Sequence, residues 1–298
     1  MPMIDANGIK ICVQEDGVRG DPPVLLLHGL GCQLTQWPER WVAGIVAAGF
    51  RVVRIDNRDV GLSSKLDALG TVDIMSFVMP RPDGKPHVPP YTLQDMANDA
   101  AAIMEALNLT GAHVVGVSMG GMIAQRLAIH HPRRVLSLTS IMSSSGAMGL
   151  PAPDPAAIGG VMMPPPMSAG RDAIIAHVER SWNLIGGPHF KSTDVGIGRM
   201  TAAAFDRCRH PPGTLRQMAA VITDASRAEA LRQVRAGTLV MHGDVDPLVP
   251  LGCGEDTRRR IPGARFNVMR NMGHDLPDPL IPEMLETLTG HWRAAAAQ

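Results

Sequence analysis

The chain has 298 residues, 45% of them hydrophobic, and its 28 basic and 28 acidic side chains cancel to zero formal charge. That length and apolar content suit one large core carrying an inserted piece. The balanced charge excludes the broad electrostatic field that nucleic acid or an anionic membrane surface would call for, which leaves a small neutral or apolar molecule as the expected partner.

The opening stretch "MPMIDANGIK" has no apolar run behind a basic patch, and no later segment is apolar over the ~18 residues of a membrane span. Neither a signal peptide nor a span is expected, and the cytoplasm is the expected compartment. Cys12, Cys32, Cys208 and Cys253 lie far apart without C-x-x-C spacing and read as ordinary thiols. Composition leaves the oligomeric state open.

In chain order, "IKICVQED" from Ile9 alternates in polarity and predicts an antiparallel edge strand. Short apolar, β-branched runs follow: "VLLLHG" from Val24, "RVVRID" from Arg51, "HVVGVS" from His113, "VLSLTSI" from Val135, "GTLVMHG" from Gly237 and "RFNVMR" from Arg265. Helical periods separate them. Leu93, Met96, Ala100, Ile103 and Leu107 recur every three or four residues behind a capping-box start at Thr92 and Asp95. Leu285, Leu288 and Trp292 mark a C-terminal helix with Pro282 in its first turn. Strands alternating with helices predict a mostly parallel sheet covered on both faces.

Two stretches break the alternation. Residues 64–91 hold five prolines and are too long for an ordinary loop, so a functional excursion is expected. The larger break, residues 146–232, opens with "GAMGLPAPDPAAIGGVMMPPPM", where six prolines and four methionines (Met148, Met162, Met163 and Met167) fall in 22 residues. Such a segment forms neither a strand nor a long helix, and a cap over the sheet edge explains it. The expected organisation is a core of residues 1–145 and 233–298 with a cap at 146–232.

The chemistry gathers at strand ends. "GVSMGG" from Gly116 fits G-x-S-x-G, a weak pattern by itself, but it stands where a strand stops and the helix "MGGMIAQRLAIHH" begins. Glycines flank Ser118 because a Cβ there would collide with the neighbouring strand or helix, and so the hydroxyl is presented at a strained turn. A serine hydroxyl needs a histidine base oriented by a carboxylate. Downstream loops at strand ends offer Asp246 in "DVDPLVP", with Asp244 two residues earlier, and His274 in "NMGHDLP". Two backbone N–H groups, those of Met119 and of Leu30 in "HGLG", are placed to hold an oxyanion. His28 reads as a structural hydrogen-bonding residue under that turn. "DNRD" at Asp56 to Asp59 reads as an ion-paired loop shaping the site wall.

"HGLG", "GVSMGG", "GDVDPLVP" and "MGHDLP", in that order, resemble the α/β-hydrolase superfamily over nearly the whole chain. Within it, "WPERWVAGIVAAGFRVVRIDNRDVGLSS" and "HVVGVSMGGMIAQRLAIHHPRRVLSL" resemble the aclacinomycin methylesterase-like group of carboxylic ester hydrolases. The resemblance implies an α/β-hydrolase fold with an inserted cap, Ser118 as nucleophile and His274 as base. It implies Asp246, the aspartate before Pro247, as the orienting acid, and so Asp244 as a turn residue. No cofactor or metal is implied, and the expected substrate is a small to medium apolar ester. Rival readings keep the triad but cleave a C–C bond or feed peroxide to the acyl-enzyme. A further rival is a non-catalytic member of the fold that binds a small hydrophobic ligand.

Overall fold

A computed structural model describes residues 1–163, 169–190, 196–224 and 227–296. Among them, eight strands form one sheet: β1 (Met3–Ala6), β2 (Ile9–Asp16), β3 (Pro23–Leu27), β4 (Arg51–Ile55), β5 (Ala112–Val117), β6 (Val135–Ile141), β7 (Gly237–Gly243) and β8 (Arg265–Met269). Their spatial order is β1-β2-β4-β3-β5-β6-β7-β8, parallel from β4 onward. All six apolar runs form strands. "IKICVQED" is antiparallel to β4 as expected, but it is not the edge. A hairpin through Asn7 and Gly8, both at positive φ, adds β1 outside it. That Asn-Gly pair is a strong two-residue turn signal.

The helices are α1 (Glu39–Ala47), α2 (Ile74–Val78), α3 (Leu93–Ala106), α4 (Met119–His130), α5 (Pro155–Met162), α6 (Arg171–Ile185), α7 (Ile197–Arg207), α8 (Pro211–Ile222), α9 (Arg227–Ala230), α10 (Leu251–Arg260) and α11 (Ile281–Ala296). The capping box of α3 is present: the Thr92 side chain accepts from Asp95 N–H and the Asp95 carboxylate accepts from Thr92 N–H.

Period-two alternation divides the core. Leu25, Leu27 and Val114 face the layer that contains Met96, Ile123 and Leu127, whereas Val24, Leu26, Val115 and Val117 face Trp41, Ile45, Leu288 and Trp292. Parallel strands buried on both faces read as continuous apolar runs, which is why these were legible. Trp292 closes the second layer edge-on to Phe50, with ring centroids 4.9 Å apart.

Helices α5 to α9 all lie between β6 and β7, and their principal anchors to the sheet are polar. On α8, the fully buried Arg216 holds Asp59 through two 2.8 Å bonds, and Gln217 donates to Arg58 O at 2.8 Å. On α7, Arg207 pairs with Asp56 at 2.8 Å. "DNRD" is therefore an ion-paired loop, but it underpins these helices instead of lining a cavity. The 64–91 connection supplies α2, whose Ile74 packs with Val72 against Met218 and Ala219 of α8.

Candidate active site

Parallel strands of an open sheet deliver their following loops to one edge. Ser118 follows β5, Asp246 follows β7, His274 follows β8, and the His28–Gly31 turn follows β3. Ser118 adopts φ 53° and ψ −121°, a strained conformation for a residue with a Cβ. The surroundings enforce it. A Cβ on Gly116 would lie 2.1 Å from Gly120 O, and one on Gly120 would lie 2.0 Å from Leu27 O, so both neighbours must be glycine. Ser118 N–H is tied to Ile141 O at 2.9 Å, which holds the corner against the end of β6.

His274 Nε2 lies 2.9 Å from Ser118 Oγ, and its Nδ1 lies 2.8 Å from Asp246 Oδ2. Asp246 spends its other oxygen on the N–H groups of Leu248 and Val249, at 2.9 and 2.8 Å. The carboxylate is thereby fixed in place against Nδ1 of the imidazole, and Nε2 is turned to Ser118 Oγ. Asp244 is elsewhere: its carboxylate accepts from Asn271 N–H at 2.6 Å, joining two surface turns. His242, buried beneath Asp246, is directed with Nε2 to Val249 O at 2.7 Å, and burial lowers its pKa. Neutral, it adds no charge behind the carboxylate.

The turn after β3 packs on the corner, since a Cβ on Gly29 would come within 3.4 Å of Ser118 Cβ. Its N–H groups are committed on either side of Leu30. Gly29 N–H donates to His28 Nδ1 at 2.8 Å, and Gly31 N–H donates to the buried Gln217 Oε1 at 2.9 Å. Leu30 N–H has no acceptor among the described residues. Met119 N–H belongs to the first turn of α4, where no intrahelical acceptor exists. Burial drives the pKa of His28 down to about 4, so that imidazole is neutral, as its structural bond to Gly29 requires.

Ser118 and His274 open into a cavity of about 600 Å³. Its walls come from the sheet edge, from Val78 on α2, and from α5, α6, α7 and α8 through Ile158, Trp182, Ile185, Met200 and Met218. No lysine or arginine is among the described lining residues. Of the methionines singled out in the sequence, Met162 lines the cavity, Met148 and Met163 are exposed, and Met167 lies outside the described residues. Met119, Met122, Met142, Met200 and Met218 complete a methionine-rich wall. Sequence reasoning missed Gln217, which ties α8 to the turn after β3. Its only signal was a polar Arg216-Gln217 pair on an otherwise apolar helix face.

The α/β-hydrolase fold model matches residues 22–167. Rhodomycin D methylesterase of Streptomyces peucetius is 28% identical, with 98% of each chain covered. A 2-hydroxy-6-oxononadienedioate/2-hydroxy-6-oxononatrienedioate hydrolase of Cupriavidus pinatubonensis is 25% identical over 87% of this chain and 83% of its own. A meta-cleavage product hydrolase of Pseudomonas fluorescens shares the fold at TM-score 0.74 and 18% identity, covering 99% of this chain and 98% of that one. The chain has the α/β-hydrolase fold. Its relatives include hydrolases of the esterase type, the methylesterases of two Streptomyces strains among them. Among the described residues no helix is long and apolar enough to cross a membrane.

Proposed function

We propose that this protein is a serine carboxylic ester hydrolase acting through an acyl-enzyme on small to medium apolar esters. Ser118 Oγ attacks the ester carbonyl while His274 Nε2 takes its proton; Asp246 keeps the imidazole in the required tautomer and stabilises the imidazolium that forms. The N–H groups of Met119 and Leu30 receive the developing oxyanion, a role in which one donor contributes about 2.7–4 kcal/mol of barrier lowering. The imidazolium then protonates the leaving alcohol, and water, activated by the same base, releases the acid. No cofactor enters.

The observation that carries this reading is the continuous relay from Asp246 through His274 to Ser118, with contacts of 2.8 and 2.9 Å, opening into an apolar cavity. Residues 146–232 act as a cap on a core of 1–145 and 233–298, because α5 to α8 supply the wall opposite the strand ends. The hydrolase of C. pinatubonensis favours a second reading, cleavage of a C–C bond by the same triad. Its substrates are dioates, however, and among the described residues this cavity wall offers no lysine or arginine to pair a second carboxylate. The decisive measurement is labelling with a fluorophosphonate followed by turnover of p-nitrophenyl butyrate. One label per chain, absent from Ser118→Ala, and ester turnover are expected; an unlabelled wild-type protein would sink the proposal.

A further inference from the structure

The turn after β3 is soft by composition, because Gly29 and Gly31 flank Leu30 and Gly31 sits at φ 67°. Cys32 N–H donates to Gly29 O at 3.2 Å, which closes a four-residue turn over Gly29 to Cys32. A positive φ at its third residue, with Leu30 not at positive φ, makes it a type II turn. The central peptide of such a turn, here Leu30 C=O with Gly31 N–H, has a second orientation, that of type I, which glycine also tolerates. A side chain from α8 holds it in the first: Gln217 Oε1 accepts from Gly31 N–H at 2.9 Å. Gln217 is fully buried, and the other end of its amide donates to Arg58 O at 2.8 Å. Gly31 N–H can only donate and Arg58 O can only accept, so the amide has one orientation that satisfies both. Helix α8 is set closely against both loops. A Cβ on Gly31 would lie 3.0 Å from Thr214 Oγ1, and one on Gly213 would lie 2.3 Å from Asp59 O.

We propose that Gln217 is a positioning residue for the reaction: by fixing the Gly31 peptide it holds Leu30 N–H where the oxyanion of the ester forms. The inference rests on the ester-hydrolase reading and adds to it a residue from the inserted helices. If the central peptide turned over, ψ of Leu30 would rotate by about 150° and carry the neighbouring donor with it. An oxyanion donor acts over a narrow range, about 2.7–3.1 Å from the oxygen, so a small displacement weakens it. Glutamine suits this place because it offers an acceptor and a donor without charge. Glutamate would set a second oxygen against Arg58 O, and methionine would leave both Gly31 N–H and Arg58 O without their partner. The same helix lines the cavity through Met218, Val221 and Ile222. The wall that contacts the substrate and the anchor of its oxyanion donor therefore belong to one element.

The test compares wild type with Gln217→Met in turnover and in the binding of two ketones, a butyl trifluoromethyl ketone and its methyl ketone counterpart. Ser118 Oγ adds to the activated carbonyl of the first, its proton passes to His274, and the carbonyl oxygen becomes an oxyanion that needs the donor. The methyl ketone binds without adding. Removing a donor outright costs about a hundredfold to a thousandfold, so a donor out of place should cost about tenfold to a hundredfold. With p-nitrophenyl butyrate, kcat should fall by that factor while KM stays within about threefold. The inhibition constant of the trifluoromethyl ketone should rise in step with the fall in kcat, and that of the methyl ketone should stay within about threefold. If the methionine variant does not fold, Gln217→Asn, whose amide is one methylene too short to reach both partners, is read by the same criteria. An unchanged kcat in the folded variant, or both ketones weakened alike, overturns the proposal, since Gln217 would then only fasten α8. Wild-type behaviour separates the two readings. Ester turnover that the variant matches sinks the Gln217 inference alone. Preference for the trifluoromethyl ketone that the variant loses, in a protein that hydrolyses no ester, sinks the esterase reading alone.

Discussion

Strand β5 buries all six of its residues, whereas α6, fifteen residues long, buries only Ile174 and Ile185. Both reach the same cavity, β5 through Ser118 and α6 through Trp182 and Ile185. The difference is in how each is held. Ser118 is locked by packing on both faces of the sheet and by contacts that admit only glycine on either side. The helices between β6 and β7 are fastened by a handful of buried polar contacts to the loop after β4 and to the turn after β3. Substitutions at the strand ends should therefore destroy chemistry at constant fold, and substitutions among the inserted helices, Gln217 apart, should change stability or selectivity.

The largest effect is expected at the corner itself. Ser118→Ala should lower kcat by about a million-fold, because nucleophile and base act as a unit, with an unchanged unfolding midpoint. A variant that keeps even a tenth of the wild-type turnover would break the comparison at its strongest point. Next, Asp246→Asn should cost about ten-thousand-fold by leaving His274 in the wrong tautomer. Asp244→Asn only weakens a surface turn contact, since the amide oxygen can still accept from Asn271 N–H, and should cost less than about tenfold, within the effect of one exposed hydrogen bond. Steady-state rates on one p-nitrophenyl ester rank the pair, and the reverse order would move the acid.

Arg216→Met probes the other region. It leaves Asp59 buried without its partner, and breaking such a pair costs about 3–5 kcal/mol of stability. Urea denaturation measures it, and a loss under about 1 kcal/mol, the range of exposed pairs, would mean that α8 is not held through this contact. The smallest steps should appear in selectivity. Each methylene buried in the cavity adds about 0.8 kcal/mol, or roughly fourfold in kcat/KM, until the space is filled. Across p-nitrophenyl acetate to palmitate at fixed detergent, kcat/KM should climb over the first few carbons and then collapse, and Trp182→Ala should move the optimum to a longer chain. A steady rise to palmitate would reject a closed apolar wall.

The same contrast separates what could be read from what could not. The six parallel strands, the α3 capping box and the turn at Ser118 depend on residues within a few positions of one another, where side-chain period and the steric need for glycine act directly. Asp246 was separated from Asp244 by its place before Pro247, a family pattern; the geometric reason, two backbone N–H groups and His274 converging on one carboxylate, exists only in the folded chain. "IKICVQED" was legible as antiparallel but not as second from the edge, because a strand's neighbours are chosen by the whole sheet.

By itself the sequence determined a two-sided parallel sheet, a strained serine at a strand end, and the order in which Asp246 and His274 follow it. Tertiary structure alone decided that Gln217 holds Gly31 across 186 positions, that Arg216 meets Asp59 across 157, and that Asp275 is buried beside His274. Local pattern reports which face of an element is apolar. Which polar group ends beside which depends on how distant elements dock, and no period in the chain encodes that.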